Sequence, residues 1–255
     1  MDDKNIIKSF QEKRIAILID SENVSANKIE LIMKESIKYG LLTIKRIYGD
    51  WTTTQLSSWK QALPSHALQP IQQFRNTSGK NSTDSAMIID AMDILYSGFV
   101  DGFILVSSDS DYTRLAIRLR ESGKIVIGIG EKKTPQSLVN ACNEFKYVEN
   151  IEKNYEKIKE DINNETKIEK NDSLEKQLDP LPLLIEAYEM IEQESEWKNL
   201  SRIANNLKKL DPGFDVRTHG FSKLSKLFSN YKNLFEIRID KTKKAIFVKK
   251  KIILT

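Results

Sequence analysis

The stretch from Phe103 to Asp111 constrains the fold more than any other part of this chain. It reads Phe-Ile-Leu-Val-Ser-Ser-Asp-Ser-Asp, and a helical pattern starts at Tyr112. The apolar run at its start is typical of a strand buried on both faces of a parallel sheet. Ligands of open α/β sheets bind beyond the carboxyl ends of the strands. We therefore expect Asp109 and Asp111 to attract a cation or to polarise a water molecule.

The same four polar residues also have a structural interpretation. Ser and Asp are favoured at helix N-caps, and an acid in the first helical turn complements the helix dipole. Capping needs one such residue, whereas Ser108 to Asp111 supply four in a row. On this stretch alone, capping and metal binding both remain open.

Apolar runs and helical patterns alternate through residues 1–150. The predicted strands are Arg14–Asp20, Leu41–Tyr48, His66–Ile71, Phe103–Val106, Lys124–Gly130 and an edge element, Phe145–Val148. Helical patterns separate them, including Thr54–Ala62, which should end before Pro64, and Thr83–Tyr96. This alternation predicts an α/β domain, a parallel sheet sandwiched by helices.

The remaining residues predict a linker and a second domain. Residues 151–178 are rich in Glu, Lys and Asn, which indicates a solvated linker or a frayed helix. Residues 179–255 contain three amphipathic helical patterns, and then two segments of period-two alternation, Phe235–Asp240 and Lys244–Lys249. Three helices followed by a hairpin predict a small C-terminal winged helix-turn-helix domain.

Cysteine and histidine usage excludes several kinds of site. Cys142 is the only cysteine among 255 residues, so an internal disulfide and a cysteine-based zinc site are excluded. His66 and His219 fall in different predicted domains, which excludes a histidine-rich metal site and argues against a Ser-His-Asp or Cys-His hydrolase. The sequence shows neither an apolar signal core nor a run of about 18 apolar residues. We expect a cytoplasmic protein without a membrane span.

Acids occupy equivalent places in several parts of the first domain. Asp20 ends the first strand, Asp84 opens the long helix, and Asp109 and Asp111 follow the fourth strand. In a parallel sheet, strand ends and the starts of the following helices share one rim, so these acids should converge. A divalent cation would relieve their repulsion, and oxygen ligands without His or Cys select Mg²⁺ or Mn²⁺. Such a site suits hydrolysis of phosphodiester bonds.

The long helix carries two more acids, Asp90 and Asp93. At about 100° per residue, one of Asp84, Asp90 and Asp93 can face the rim, and Asp84 in the first turn is best placed. Asp93 is expected to be solvated, and Asp90 stays open.

Residues near the rim could contact nucleic acid. Arg75 and Lys80 precede Asp84 and are either ligands of a scissile phosphate or ordinary loop charges. Asn23 is either a ligand or the residue that holds the turn after the first strand. Tyr48 and Trp51 follow the second strand, where an aromatic ring could stack on a base or pack into the core.

Five motifs, in order and spacing, resemble the NYN domain of the PIN-like nuclease superfamily over about Arg14 to Ile151. They are Ile17–Asn23, Tyr48–Trp51, Gly79–Asp84, Val106–Asp111 and Gly128–Glu131. Residues Asp179 to Lys249, and Phe214–Leu224 in particular, resemble the LOTUS or OST-type winged-helix domain.

The first resemblance implies a metal-dependent ribonuclease. By motif, its metal-binding acids fall on Asp20, Asp84, Asp109 and Asp111, and its asparagine falls on Asn23. Some members of the family act mainly as adaptors.

The second resemblance implies a partner, either RNA, in some cases G-rich RNA, or protein. Basic residues dominate from Arg217 onward, including Lys223 and Lys226, against only Glu236 and Asp240. Such a cluster favours salt-dependent phosphate binding, with a merely solubilising surface as the alternative.

Taken together, these features predict an endoribonuclease that uses Mg²⁺ or Mn²⁺, with a winged helix that binds single-stranded or structured RNA. A nuclease acting on DNA or on a particular nucleic-acid structure is the first alternative, and a non-catalytic RNA-binding adaptor is the second. Self-association into a homodimer is also open, because related domains often self-associate. A nucleotide-cofactor enzyme is disfavoured, since the chain lacks a G-x-G-x-x-G turn and a Walker A motif.

Overall fold

The computed structural model describes residues 12–74, 82–165, 179–191, 195–240, 242 and 245–251, without the side chains of residues 82–84 and 157–165. The chain divides into two compact units, Met1–Lys159 and Glu160–Thr255. Across the described ranges, no helix is both long enough and apolar enough to cross a membrane.

The first unit is built on a parallel sheet. Its strands within the described ranges are β1 (Arg14–Asp20), β2 (Leu41–Gly49), β3 (Gln69–Gln72), β4 (Gly102–Val106), β5 (Ile125–Gly130) and β6 (Glu144–Tyr147). They lie in the order β3-β2-β1-β4-β5-β6, and every neighbouring pair is parallel. All of β4 is buried, as the apolar run at Phe103 predicts.

Helices cover both faces of this sheet. They are α1 (Ile29–Ser36), α2 (Ser57–His66), α3 (Ser82–Ser97), α4 (Thr113–Glu121), α5 (Gln136–Ala141) and α6 (Val148–Glu165). Successive residues of β1 point to opposite faces, so Ile17 and Ile19 pack with α1, α2 and α6, whereas Ala16 and Leu18 pack with α3, α4 and α5. The predicted α/β class is confirmed.

The prediction that the second helix ends before Pro64 is wrong. Helix α2 contains Pro64 and continues to His66, and Ala67 then adopts a left-handed conformation. Pro64 has no backbone N–H to donate to the preceding turn, so one helical hydrogen bond is lost, and α2 ends two residues later. The third strand consequently begins at Gln69 instead of His66, and Pro70 is tolerated within it because β3 is an edge strand.

The charged segment after residue 150 begins as an ordered helix. Helix α6 starts at Val148, so the predicted boundary at residue 150 lies inside it. Ile151 and Tyr155 are buried in the core of the first unit, and Glu152 forms an ion pair with Lys28. The buried positions recur at helical spacing between charged residues, which hides them in the average composition.

The second unit has helices α7 (Leu181–Glu189), α8 (Leu200–Leu210) and α9 (Leu224–Asn230) in its described part. Strands β7 (Lys198–Asn199), β8 (Phe235–Asp240) and β9 (Ala245–Lys250) form an antiparallel sheet in the order β7-β9-β8. The predicted small domain of helices and a hairpin is confirmed. Strand β7 was not predicted, because two residues are too few to show an alternating pattern.

The burial of α6 predicts that Ile151→Ala destabilises the first unit by about 2–5 kcal/mol, because it removes buried methyl groups and leaves a cavity. Denaturant unfolding of the full chain measures this loss. Asn154→Ala is the matched control, since Asn154 is exposed on the same helix, and it should change stability by less than about 0.5 kcal/mol. Equal effects of the two substitutions would contradict the packing of α6 described above.

Candidate active site

The strand order creates a crevice between β1 and β4. The chain adds β2 and β3 on one side of β1, and adds β4, β5 and β6 on the other side. In open α/β sheets, ligands bind at such a reversal, outside the carboxyl ends of the strands. Ile19 pairs with Val106 across this junction. Asp20 and Ser107 are the next residues of the two strands and therefore lie side by side.

Asp20 is the buried acid of this crevice, with 1% of its surface exposed. Its carboxylate accepts hydrogen bonds from the backbone N–H of Glu22 (3.0 Å), the side-chain amide of Asn23 (2.5 Å) and the hydroxyl of Ser107 (3.2 Å). These donors come from two different strand ends. They hold the carboxylate in one orientation at the mouth of the crevice.

Ser107 connects the two acidic segments. Its hydroxyl donates to Asp20 and accepts a hydrogen bond from the backbone N–H of Asp109 at 3.0 Å. The carboxylate of Asp20 and the backbone of Asp109 are therefore both within hydrogen-bond distance of one buried oxygen. Ser107 was not predicted as a site residue, although its position directly after a buried strand is a signal that could have found it.

Asp109 meets the capping expectation as well. It is the N-cap of a 3-10 turn, Ser110–Tyr112, and its Oδ1 accepts from the backbone N–H of Asp111 at 2.9 Å. Asp109 is half-buried and Asp111 is exposed. A single carboxylate can serve both purposes, because one oxygen completes the cap while the other remains for a ligand.

Asn23 holds the turn after β1. Its side-chain amide donates to the carboxylate of Asp20, and its backbone N–H donates to the carbonyl of Asp20 at 3.3 Å. Of the two roles left open by the sequence, the structure supports the orienting one.

Asp84 is the third residue of α3, and its side chain lies outside the described residues. The course of the backbone brings α3 to the same rim, since β3 ends there and α3 leads back toward the start of β4. Helix α3 also contacts β1 and the turn Ser110–Tyr112. Arg75 and Lys80 lie outside the described residues.

Asp90 has a structural role. Its carboxylate forms an ion pair with Arg46 and accepts a hydrogen bond from the hydroxyl of Tyr48. Burial, and then the hydrogen bond to Asp90, raise the pKa of Tyr48 well above its ordinary value. Tyr48 is fully buried, so of the two roles considered for its ring the structure shows packing into the core. Asp93 is exposed, as predicted.

Trp51 lies at the rim and is half-buried. Its indole N–H donates to the carbonyl of Ile71 at 3.0 Å, and its ring packs against the core beneath α1 and α2. The ring is thus fixed in place with part of its surface exposed.

Asp50 is a further acid beyond a strand end that was not predicted. It is 7% exposed, and its Oδ1 accepts from the backbone and hydroxyl of Thr52 (3.1 and 2.6 Å) and from the amide of Gln72 (2.9 Å). These bonds fix the exit of β2 and join it to β3. The Asp-Trp-Thr spacing is a turn signal in the sequence.

The carboxylate oxygens at the crevice suit a hard cation. Asp20 and Asp109 offer carboxylate oxygen, which Mg²⁺ and Mn²⁺ prefer over nitrogen or sulfur. Among the side chains that the structure describes, no group of three or more His, Cys, Asp or Glu residues is placed to hold a metal ion. The side chain of Asp84 falls outside that set.

The second unit presents basic residues around α9. Lys223 directly precedes the helix, Lys226 lies on it, and both are exposed. Arg217, in the preceding turn, forms an ion pair with Asp215, and its hydrogen bonds lower the pKa of Asp215 to about 2.

Comparison with known protein families agrees with this architecture. The family model of the NYN domain matches residues 14–149, more than half of the chain. The chain belongs to the NYN domain family. NYN domains are a PIN-like nuclease family, and such domains generally use divalent metals. A second model, the OST-HTH/LOTUS domain, matches residues 173–246, and domains of this kind bind RNA.

Solved structures that are similar to parts of the chain include the following two. One is a protein of unknown function from Vibrio parahaemolyticus, 20% identical, covering 57% of this chain and 98% of that chain at a TM-score of 0.49. The other is an uncharacterized protein from Nitrosomonas europaea, 28% identical, covering 35% of this chain and 90% of that chain at a TM-score of 0.28. No curated protein matches the chain.

The contacts of Asp90 predict that Asp90→Asn lowers the free energy of unfolding by about 1–3 kcal/mol, because Arg46 loses its charged partner. Asp93→Asn, an exposed site on the same helix, should change it by less than about 0.5 kcal/mol. Denaturant unfolding compares the two. If Asp90→Asn were as stable as the parental chain, the structural role of this acid would be refuted.

Proposed function

We propose that this protein is an endoribonuclease that uses Mg²⁺ or Mn²⁺ and cuts RNA at the crevice between β1 and β4. The observation that carries the proposal is the shared hydroxyl of Ser107, which joins Asp20 and Asp109 at the point where the strand order reverses. The family supports nuclease chemistry in general, and the proposal adds the substrate, the cation and the residues.

The four acids of the proposed site have related roles. Asp20 and Asp109 bind the cation, together with Asp84 and Asp111 from the same rim. When bound, the cation neutralises the scissile phosphate and lowers the pKa of water for attack. Ser107 and Asn23 keep the carboxylate of Asp20 in place before the substrate arrives, so little reorganisation is needed during the reaction.

Residues around the rim position the RNA. Arg75 and Lys80 are proposed to bind the phosphate next to the cut. Trp51 is proposed to stack on a neighbouring base with the exposed part of its ring.

The second unit is proposed to bind the RNA substrate as well. Helix α9 is the third helix of the second unit, the position of the recognition helix in helix-turn-helix domains. Lys223, Lys226 and Arg217 are proposed to bind phosphates there, and G-rich RNA is one candidate ligand. Because the two units are on one chain, RNA held by the second is at high effective concentration for the first.

The deciding experiment is RNA cleavage by Asp109→Asn. Asn is as good an N-cap as Asp, so the turn before α4 is retained while one anionic ligand is lost. We expect cleavage of a mixed RNA pool with Mg²⁺ or Mn²⁺ to fall by at least about 100-fold, since even residues that only support a metal ligand contribute about 10- to 100-fold. RNA affinity should stay near the parental value.

Asp101→Asn is the matched control for this substitution. Asp101 precedes the same strand, β4, at the opposite end of the sheet, and it too accepts a backbone N–H, from Arg14 at 2.7 Å. This control should cut at the parental rate. A chelator should stop cleavage by the control and by the parental chain. Parental cleavage by Asp109→Asn would refute the proposed site.

The adaptor alternative has one supporting observation: capping alone accounts for the hydrogen bond of the Asp109 carboxylate. A parental protein that binds RNA but cuts nothing with added Mn²⁺ would establish it. Matched RNA and DNA strands, cut side by side, distinguish a ribonuclease from a deoxyribonuclease. Light scattering reports whether the chain forms a homodimer.

Phosphate contacts from α9 predict a change in salt dependence. In the Asp109→Asn background, Lys226→Ala should reduce the slope of log affinity against log salt by about 0.7, the value for one phosphate contact on a single strand. Lys60→Ala, an exposed lysine on α2, should leave the slope unchanged. Fluorescence anisotropy at several salt concentrations measures it, and an unchanged slope for Lys226→Ala would exclude this contact.

A further inference from the structure

The sheet of the second unit carries two aromatic rings and an arginine on one face. Arg238 of β8 pairs directly with Phe247 of β9. Trp197 immediately precedes β7, whose Lys198 pairs with Val248 of β9. We call Trp197, Arg238 and Phe247 the wing platform.

The wing platform lies on the side of the sheet that faces away from the helices. Val248 is fully buried in the core of the second unit. Side chains alternate along a strand, so Phe247 and its cross-strand partner Arg238 point the other way. Neither Trp197 nor Phe247 is among the described residues that form this core.

Cation–π contacts hold the platform together. The guanidinium carbon of Arg238 lies 5.3 Å from the centre of the Trp197 ring and 6.0 Å from the centre of the Phe247 ring. Arg238 is exposed, and both rings are half-buried. Two rings in contact with one planar cation present a preformed surface, so binding a flat ligand costs little side-chain ordering.

The chemistry of this face favours a base over a phosphate. Aromatic rings and guanidinium planes are the groups on which proteins stack unpaired bases. Glu236 and Asp240 belong to the same face of β8 by alternation, and the nearby Lys249 is paired with Glu196. These acids repel phosphates, in contrast to the exposed lysines of α9.

We propose that the wing platform stacks an unpaired base of single-stranded RNA. This inference rests on the proposed RNA binding by the second unit and assigns it a second contact, which reads unpaired bases while α9 binds phosphates. A base paired within a duplex is stacked on its neighbours and cannot reach the platform.

The test compares two ligands of equal length, a short oligouridylate and an abasic oligonucleotide, with the full chain in the Asp109→Asn background. Fluorescence anisotropy gives both affinities. The chain should bind the oligouridylate roughly 5- to 100-fold more tightly, as expected for stacking of one base. Trp197→Leu and Phe247→Leu should lower this ratio to the part that Trp51 of the first unit contributes, and they should leave the abasic affinity unchanged.

Two further variants separate stacking from charge. Arg238→Lys keeps the positive charge but loses the guanidinium plane. It should therefore lower the ratio of the oligouridylate affinity to the abasic affinity, and leave the affinity for the abasic oligonucleotide unchanged. Lys226→Ala should weaken binding of both ligands alike and leave the ratio unchanged. Circular dichroism checks folding, and if Trp197→Leu does not fold, Phe247→Leu and Arg238→Lys decide.

The outcomes distinguish this inference from the proposed function. If the folded platform variants keep the parental ratio, the wing platform does not stack bases, and RNA binding through α9 stands. If the chain without platform substitutions binds neither ligand, RNA binding itself is refuted, and the platform with it.

Discussion

The hydrogen bonds of one buried hydroxyl, that of Ser107, connect the fold of the first unit to its chemistry. They require β4 to lie beside β1 in parallel and in register, which the apolar sequences of both strands ensure. The strand order reverses at this junction, so the helices that follow β1 and β4 lie on opposite faces of the sheet, which leaves a crevice between the two strand ends. Given that arrangement, two acids that are far apart along the chain both contact one buried hydroxyl.

Much of this fold follows from local sequence. Strand β1 has the predicted bounds, because an apolar run that ends in polar residues predicts a buried strand from local sequence alone. The order of helix α6 was underestimated, because its few buried residues, such as Ile151 and Tyr155, alternate with many charged residues. The order of the strands could not be predicted, because it depends on which helices pack together and not on any single segment.

The candidate site was predictable in part for the same reason. Strand ends share a rim in any parallel sheet, so the expectation that Asp20 and Asp109 converge needed no tertiary detail. Tertiary detail was needed to distinguish acids with a structural role from acids of the candidate site. Asp90 is recognised as structural by its contacts with Arg46 and Tyr48. Both belong to β2, which α2 and β3 separate from α3 along the chain. The wing platform was likewise hidden, because only the register of β8 and β9 shows that Arg238 and Phe247 are neighbours.

The proposed function requires Asp20 and Asp109 to bind one cation at the crevice between β1 and β4. Anomalous diffraction from crystals soaked in Mn²⁺ locates bound metal. We expect an anomalous peak in contact with both carboxylates. A peak elsewhere on the chain, or none at a saturating concentration while both carboxylates keep their present hydrogen bonds, would contradict it.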